Sequence, residues 1–108
     1  MDRADIEEVF APLGPVTIKR LFGGKGVYVQ GLIVAVDWRD ELLLKADAVS
    51  APRFEAAGAI QWRYEGRTGR SAAMPYWTIP VDAFDDLDVM LHWLRLAYDA
   101  ALRTTQPV

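Results

Sequence analysis

The chain has 108 residues, 52% of them apolar, 11% aromatic and 25% charged, with 15 acidic against 12 basic side chains and a net charge of −3. That length suits one hydrophobic core. The absence of cysteine excludes a disulfide scaffold, a zinc ribbon and a thiol nucleophile, and the single histidine excludes any centre built on two imidazoles. The longest unbroken apolar run, Leu32 to Val36, is far shorter than the roughly 20 residues a bilayer span needs. Asp2, Asp5, Glu7 and Glu8 interrupt any leader-like stretch, so a cytoplasmic protein without membrane contact is expected.

From Ala4 onward, Ile6, Val9, Phe10 and Leu13 recur at helical spacing until Gly14-Pro15 stops the helix. Val16 to Phe22 reads as a strand, Gly23-Gly24-Lys25-Gly26 as a turn, and Val27 to Val29 as the next strand. Gln30-Gly31 predicts a tight hairpin into a third strand, Leu32 to Val36. A polar bend at Asp37 to Asp40 leads to a fourth, Leu42 to Lys45. Connections this short exclude crossovers, so the four strands form an antiparallel meander. Asp47 is placed to cap a short helix containing Pro52, Phe54, Ala56 and Ala57, which Gly58 closes. Ile60, Trp62 and Tyr64 alternate with Gln61, Arg63 and Glu65, the pattern of a strand with one buried face. After a polar turn at Gly66 to Ser71, Ala72 to Ile79 returns as a strand in which Pro75 requires an edge position or a bulge. Pro80 opens a turn of helix, and Asp85 or Asp86 caps the last helix, which runs to about Leu102. The order helix, four strands, helix, two strands, helix defines an α+β fold.

The last helix is apolar over more than half its circumference. Leu87, Met90, Leu91, Leu94, Ala97, Tyr98 and Ala101 cover one face, and Val89, Trp93, Leu96 and Ala100 form a second sector beside it. Such an arc is wider than one sheet buries. It either lodges between the sheet and another helix or serves self-association, with Val89, Trp93, Leu96 and Ala100 as the candidate face of a homodimer.

Charge is segregated along the chain. Residues 1–18 carry four acids against Arg3, residues 19–70 nine basic groups against six acids, and residues 71–108 five acids against Arg95 and Arg103. A basic middle between acidic ends can steer an anionic partner, and Lys19, Arg20, Lys25 and Lys45 are the candidate contact residues. Trp38, Trp62, Trp77, Tyr28, Tyr64 and Tyr76 supply stacking groups for nucleic acid, the alternative partner, with at least half of them expected in the core. An acidic pI near 5.0 argues against strong sequence-independent DNA affinity.

Candidate chemistry is sparse. Gly23 to Gly26 lacks the phosphate-loop pattern and precedes a strand, not a helix, so its glycines read as conformational. Asp82, Asp85, Asp86 and Asp88 stand where a helix start favours acids, and His92 has no nucleophile beside it in sequence. The expectation is a non-enzymatic domain with no catalytic, cofactor-binding or metal-binding residues.

The run Lys19-Arg20-Leu21-Phe22-Gly23-Gly24-Lys25-Gly26-Val27-Tyr28, followed by Gly31-Leu32, resembles the R-M-F-G-G-x-G-[IV]-Y…G-L opening of the TfoX (Sxy) N-terminal domain. Leu43-Leu44-Lys45-Ala46-Asp47, Phe54-Glu55-Ala56-Ala57-Gly58, Tyr64, Met74-Pro75-Tyr76-Trp77 and Pro80 follow in that family's order. The resemblance covers about residues 5–102 and implies a single domain over 1–108, with a curved antiparallel sheet packed on helices as in secretion chaperones. It also implies a regulatory role in natural competence, exercised with a cyclic-AMP receptor-type transcription factor or other transcription machinery. Full-length family members carry a further C-terminal helical domain. No catalytic residue or cofactor follows from the resemblance.

Overall fold

The computed structural model describes residues 1–21 and 23–105; Phe22, included in the expected first strand, lies outside the described residues. Helix α1 (Arg3–Phe10) starts where the Asp2 carboxylate accepts a hydrogen bond from the Asp5 amide at 2.9 Å. Strands β1 (Thr17–Leu21), β2 (Gly24–Val29), β3 (Leu32–Trp38) and β4 (Glu41–Lys45) follow, then α2 (Ala51–Ala56), β5 (Gln61–Glu65) and β6 (Ser71–Thr78). A 3-10 turn at Val81–Asp85 leads into α3 (Leu87–Thr105). All six strands form one antiparallel sheet in the order β1-β2-β3-β4-β6-β5. The α+β fold and the meander are as expected.

Both short hairpins use residues with positive φ, the backbone twist that matches paired strands. Gln30 and Gly31 lie at φ 50° and 82°, and Arg39 and Asp40 at 50° and 65°. The expected bend at Asp37–Asp40 is therefore only its second half. Asp37 pairs with Lys25 and Trp38 with Glu41, so β3 runs on through both. The expected turn at Gly23–Gly26 is likewise shorter, because Gly24, Lys25 and Gly26 are rungs of β2 opposite Leu21, Arg20 and Lys19. Glycine is required there by proximity. A Cβ on Gly24 would run into the Asp37 carbonyl oxygen, and one on Gly26 would meet the Tyr28 ring at 3.0 Å.

A β-bulge changes what the core receives from β3. Val27 pairs with Ala35 but Tyr28 with Ile33, leaving Val34 extra. Val34 and Ala35 both turn inward and are fully buried, while Ile33 and Val36 face the other way. Pro75 sits on β6, an internal strand, and the bulge alternative applies. The β5–β6 register jumps from Gln61↔Trp77 to Arg63↔Ala73, so the proline is skipped by that ladder. Its carbonyl accepts from the Ala46 amide at 2.9 Å and the neighbouring Met74 carbonyl from Gln61 Nε2 at 3.0 Å.

Helix α2 begins three residues later than the Asp47 cap implies, at Ala51, with Ser50 in the cap position. Asp47 organises the preceding turn instead, its Oδ1 accepting from the amides of Val49 and Ser50 at 3.1 Å each. Gly58, at φ 82°, closes α2 as expected, with its amide on Glu55 O and that of Ala59 on Phe54 O. At α3, Asp86 is the cap, its Oδ1 accepting from Asp88 and Val89 at 2.9 and 3.3 Å.

All three helices contribute to one core. Ile6 and Phe10 of α1, Phe54 of α2 and Met90, Trp93, Leu94, Ala97 and Ala101 of α3 pack on Val27, Val34, Leu42, Leu44 and Trp77 of the sheet. Phe54 stands between two tryptophans, its ring 4.8 Å from Trp93 and 6.4 Å from Trp77. This accounts for the width of the α3 arc by the first of its two readings, a helix lodged against the sheet and another helix. Trp93 (8% exposed) and Ala100 (0%) are buried within the single chain, while Val89 and Leu96 are half-buried against the same core. Among the described residues, no helix is long and apolar enough to cross a membrane.

Candidate interaction surface

A second apolar cluster lies on the opposite side of the sheet. It contains Val36, Leu43 and Tyr76, with Leu21, Ile33, Trp38, Trp62 and Met74 packed against them. Every one of these is a strand residue, so among the described residues this face is built by the sheet alone and carries no helix. Strand alternation selects its members: Leu43 faces out between Leu42 and Leu44, and Tyr76 faces out beside the inward Trp77.

Aromatic side chains line the end of this face near β5. Trp38 lies 5.5 Å from Trp62 and 5.6 Å from Tyr64, and Trp62 lies 5.9 Å from Tyr64 and 6.1 Å from Tyr76, mostly edge to face. Such pairs each contribute roughly 0.5–1.5 kcal/mol beyond their burial. Strand β6 brings Trp38 and Trp62 together from distant parts of the chain by entering between β4 and β5. Fewer of the six candidate stacking groups are buried than expected. Tyr76 and Trp77 are buried, Tyr28, Trp38 and Trp62 are half-buried, and Tyr64 is exposed.

Cations sit over these rings. Lys19 Nζ is 5.1 Å from the Tyr28 centroid, Lys45 Nζ 5.2 Å from Tyr76, and the Arg39 guanidinium 5.4 Å from Trp38. Partial burial holds the Lys45 ammonium below the ordinary lysine pKa, against the attraction of Asp47. Burial, with Tyr28 adding to it, pushes the Tyr76 phenol up to about 12. Arg39 is a member that sequence inspection missed. Its signal was only its place in a two-residue turn next to a tryptophan.

The four basic candidates do not form one patch. Lys19 and Lys45 belong to the open face. Arg20 and Lys25, directly opposite each other in the β1–β2 ladder, line a separate cleft of about 490 Å³ with Met1, Gly23, Gly24, Asp37, Arg39 and Asp40. There the Met1 amino group donates to Asp40 Oδ1 at 2.6 Å and Asp37 Oδ2 at 3.2 Å, and Lys25 Nζ donates to the Met1 carbonyl at 2.7 Å. The hydrogen bond to Asp40 raises the amino group's pKa and lowers that of the carboxyl. His92, on α3, is exposed, with its ring 5.2 Å from Trp93.

The fold thus defines an α+β domain with one helix-covered sheet face and one open aromatic face bordered by cations. The family model for the TfoX N-terminal domain matches residues 8–101. The chain belongs to the TfoX N-terminal domain family. A search among curated proteins returned no match.

Proposed function

We propose that this chain is a non-enzymatic regulatory domain that binds a partner through the open face of its sheet and acts in transcription regulation. The observation that carries this reading is the aromatic layer of Trp38, Trp62, Tyr64 and Tyr76, which no helix among the described residues covers. Aromatic anchors with cations at their rim are the composition of interface hot spots. The partner class is a protein of the transcription machinery, with a cyclic-AMP receptor-type factor first, as the family resemblance implies. The test is calorimetric titration of the purified domain with that factor from the same source. Tyr64→Ala and Lys45→Glu are expected to weaken binding by roughly tenfold or more while the fold holds. Absence of binding, or unchanged affinity in both variants, overturns the reading.

A second reading, direct binding of nucleic acid, is favoured by the placement of Lys19 and Arg39 over the half-buried rings of Tyr28 and Trp38, with Lys45 beside them over the buried Tyr76. It predicts affinity for a single-stranded oligonucleotide that falls about tenfold or more between 50 and 200 mM salt. No binding at low salt removes it.

A further inference from the structure

The sheet has two free edges, β1 and β5, and they differ in what a second copy of the chain would meet. Strand β1 reads Thr17-Ile18-Lys19-Arg20-Leu21. Antiparallel self-pairing centred on or between Lys19 and Arg20 sets like charges opposite one another, a common protection of sheet edges. Strand β5 reads Gln61-Trp62-Arg63-Tyr64-Glu65 and has neither proline nor lysine. Its one substantial neighbour among the described residues is β6, and none of them covers its outer edge.

The backbone orientation of β5 follows from its flanks. The Thr78 amide donates to Ile60 O at 3.0 Å, and the Gly66 amide donates to Arg70 O at 3.1 Å. Even-numbered positions therefore turn their amides and carbonyls toward β6. Because these groups alternate along a strand, Gln61, Arg63 and Glu65 turn theirs outward. The Arg63 side chain is exposed and makes only a long contact of 3.4 Å to Ser71 Oγ, Glu65 is exposed, and Tyr64 is 36% exposed.

We propose that β5 pairs antiparallel with β5 of a second copy, about a two-fold axis at Tyr64. In this register each Arg63 lies opposite Glu65 of the other copy. Both residues present outward backbone groups, so each pair exchanges hydrogen bonds in both directions as well as opposite charge. The two Tyr64 rings meet at the axis as a non-hydrogen-bonded pair, where side chains approach most closely. Shifting the axis to Arg63 sets that arginine against itself, and intermediate registers oppose outward with inward backbone groups. Charge and backbone parity together favour the Tyr64-centred register, the one that sets Arg63 opposite Glu65. The contact is isologous and closes on itself, and the like charges on β1 prevent growth from the other edge. The aromatic layer of one copy then continues into that of the next through Tyr64. This inference goes beyond the partner reading and stands without it.

Sedimentation equilibrium up to about 500 μM, a range that populates even a weak contact, tests it. Wild-type protein is expected to dimerise, and Arg63→Glu or Glu65→Arg to weaken the dimer roughly tenfold or more by setting like charges in both pairs. The double variant carrying both reversals is expected to restore dimerisation to near the wild-type level. Arg63→Pro, which removes only an outward amide, is expected to be monomeric with an unchanged circular dichroism spectrum. A wild-type monomer throughout the range overturns the proposal. So does a dimer indifferent to these changes, which places the contact elsewhere.

Discussion

Arg103, in the last turn of α3, donates from Nε and Nη2 to the two carboxylate oxygens of Asp47, at 2.5 and 2.9 Å. The pair ties the C-terminal end of the last helix to the turn that starts α2. The same carboxylate accepts from the amides of Val49 and Ser50 and from the Ser50 hydroxyl at 3.2 Å. Removing it costs a turn anchor and an ion pair together, whereas removing Arg103 costs the ion pair alone.

Asp47→Ala is expected to lower stability by about 1–2 kcal/mol and Arg103→Ala by about 0.5–1 kcal/mol, since the arginine is partly solvent-exposed. Urea unfolding of the two variants measures the difference. The hydrogen bond from Arg103 is the main cause that holds the Asp47 carboxyl far below its usual value of 3.8. A depressed folded pKa contributes stability that is complete above the unfolded value and lost as pH falls through the folded one. The wild-type melting temperature should therefore drop more steeply than that of Asp47→Asn as pH is lowered below about 4.

Gly24→Ala drives a methyl group against the Asp37 carbonyl oxygen and, at 3.3 Å, the Trp38 ring. Backbone cannot yield as a side chain does, so a loss of about 2–3 kcal/mol is expected. Gly26→Ala meets the movable ends of Tyr28 and Ile33 at 3.0–3.3 Å and should cost less. Gly66→Ala, with open space around it, should be neutral or stabilising by up to about 1 kcal/mol. Equal effects from all three in chemical denaturation would refute the steric account.

Phe54 is fully buried between Trp77 and Trp93. Phe54→Ala leaves a cavity in the middle of the helix-covered core and should cost about 3–5 kcal/mol. Phe84→Ala, at a position 57% exposed, should change stability little. Thermal unfolding of both variants separates a packing role from aromatic content.

Tyr76 should ionise late, at about 12, and that phase of an ultraviolet pH titration should vanish in Tyr76→Phe. The folded chain holds this proton more tightly than the unfolded chain, whose tyrosine titrates near the ordinary value of 10.0. Stability from this source is intact below about 10 and declines as pH rises toward 12.

Local signals placed most of the elements. Positive φ at Gly31 and Gly58, the Asp86 cap and the apolar periodicity of α3 each act within a few residues, so the hairpin, the end of α2 and the start of α3 were legible in the sequence. The motif run from Lys19 to Tyr28, with its followers through Pro80, pointed to the TfoX N-terminal domain family, to which the chain belongs. The basic character of Lys19 and Lys45 was also legible, as was the supply of aromatics between residues 28 and 77.

Which side of the sheet each of these residues occupies was not. Side-chain direction reverses with every residue, so the β3 bulge at Val34 decides which positions reach the core. The insertion of β6 between β4 and β5 brings Trp62 to Trp38, and pairing across β1 and β2 sends Lys19 and Arg20 to opposite faces. The arc on α3 became core because Phe54, some forty residues earlier, packs against Trp93. By itself the sequence determined the elements, because caps, turns and periodicity are short-range. Only the tertiary structure decided the faces, because register and strand order are set by contacts between segments far apart in the chain.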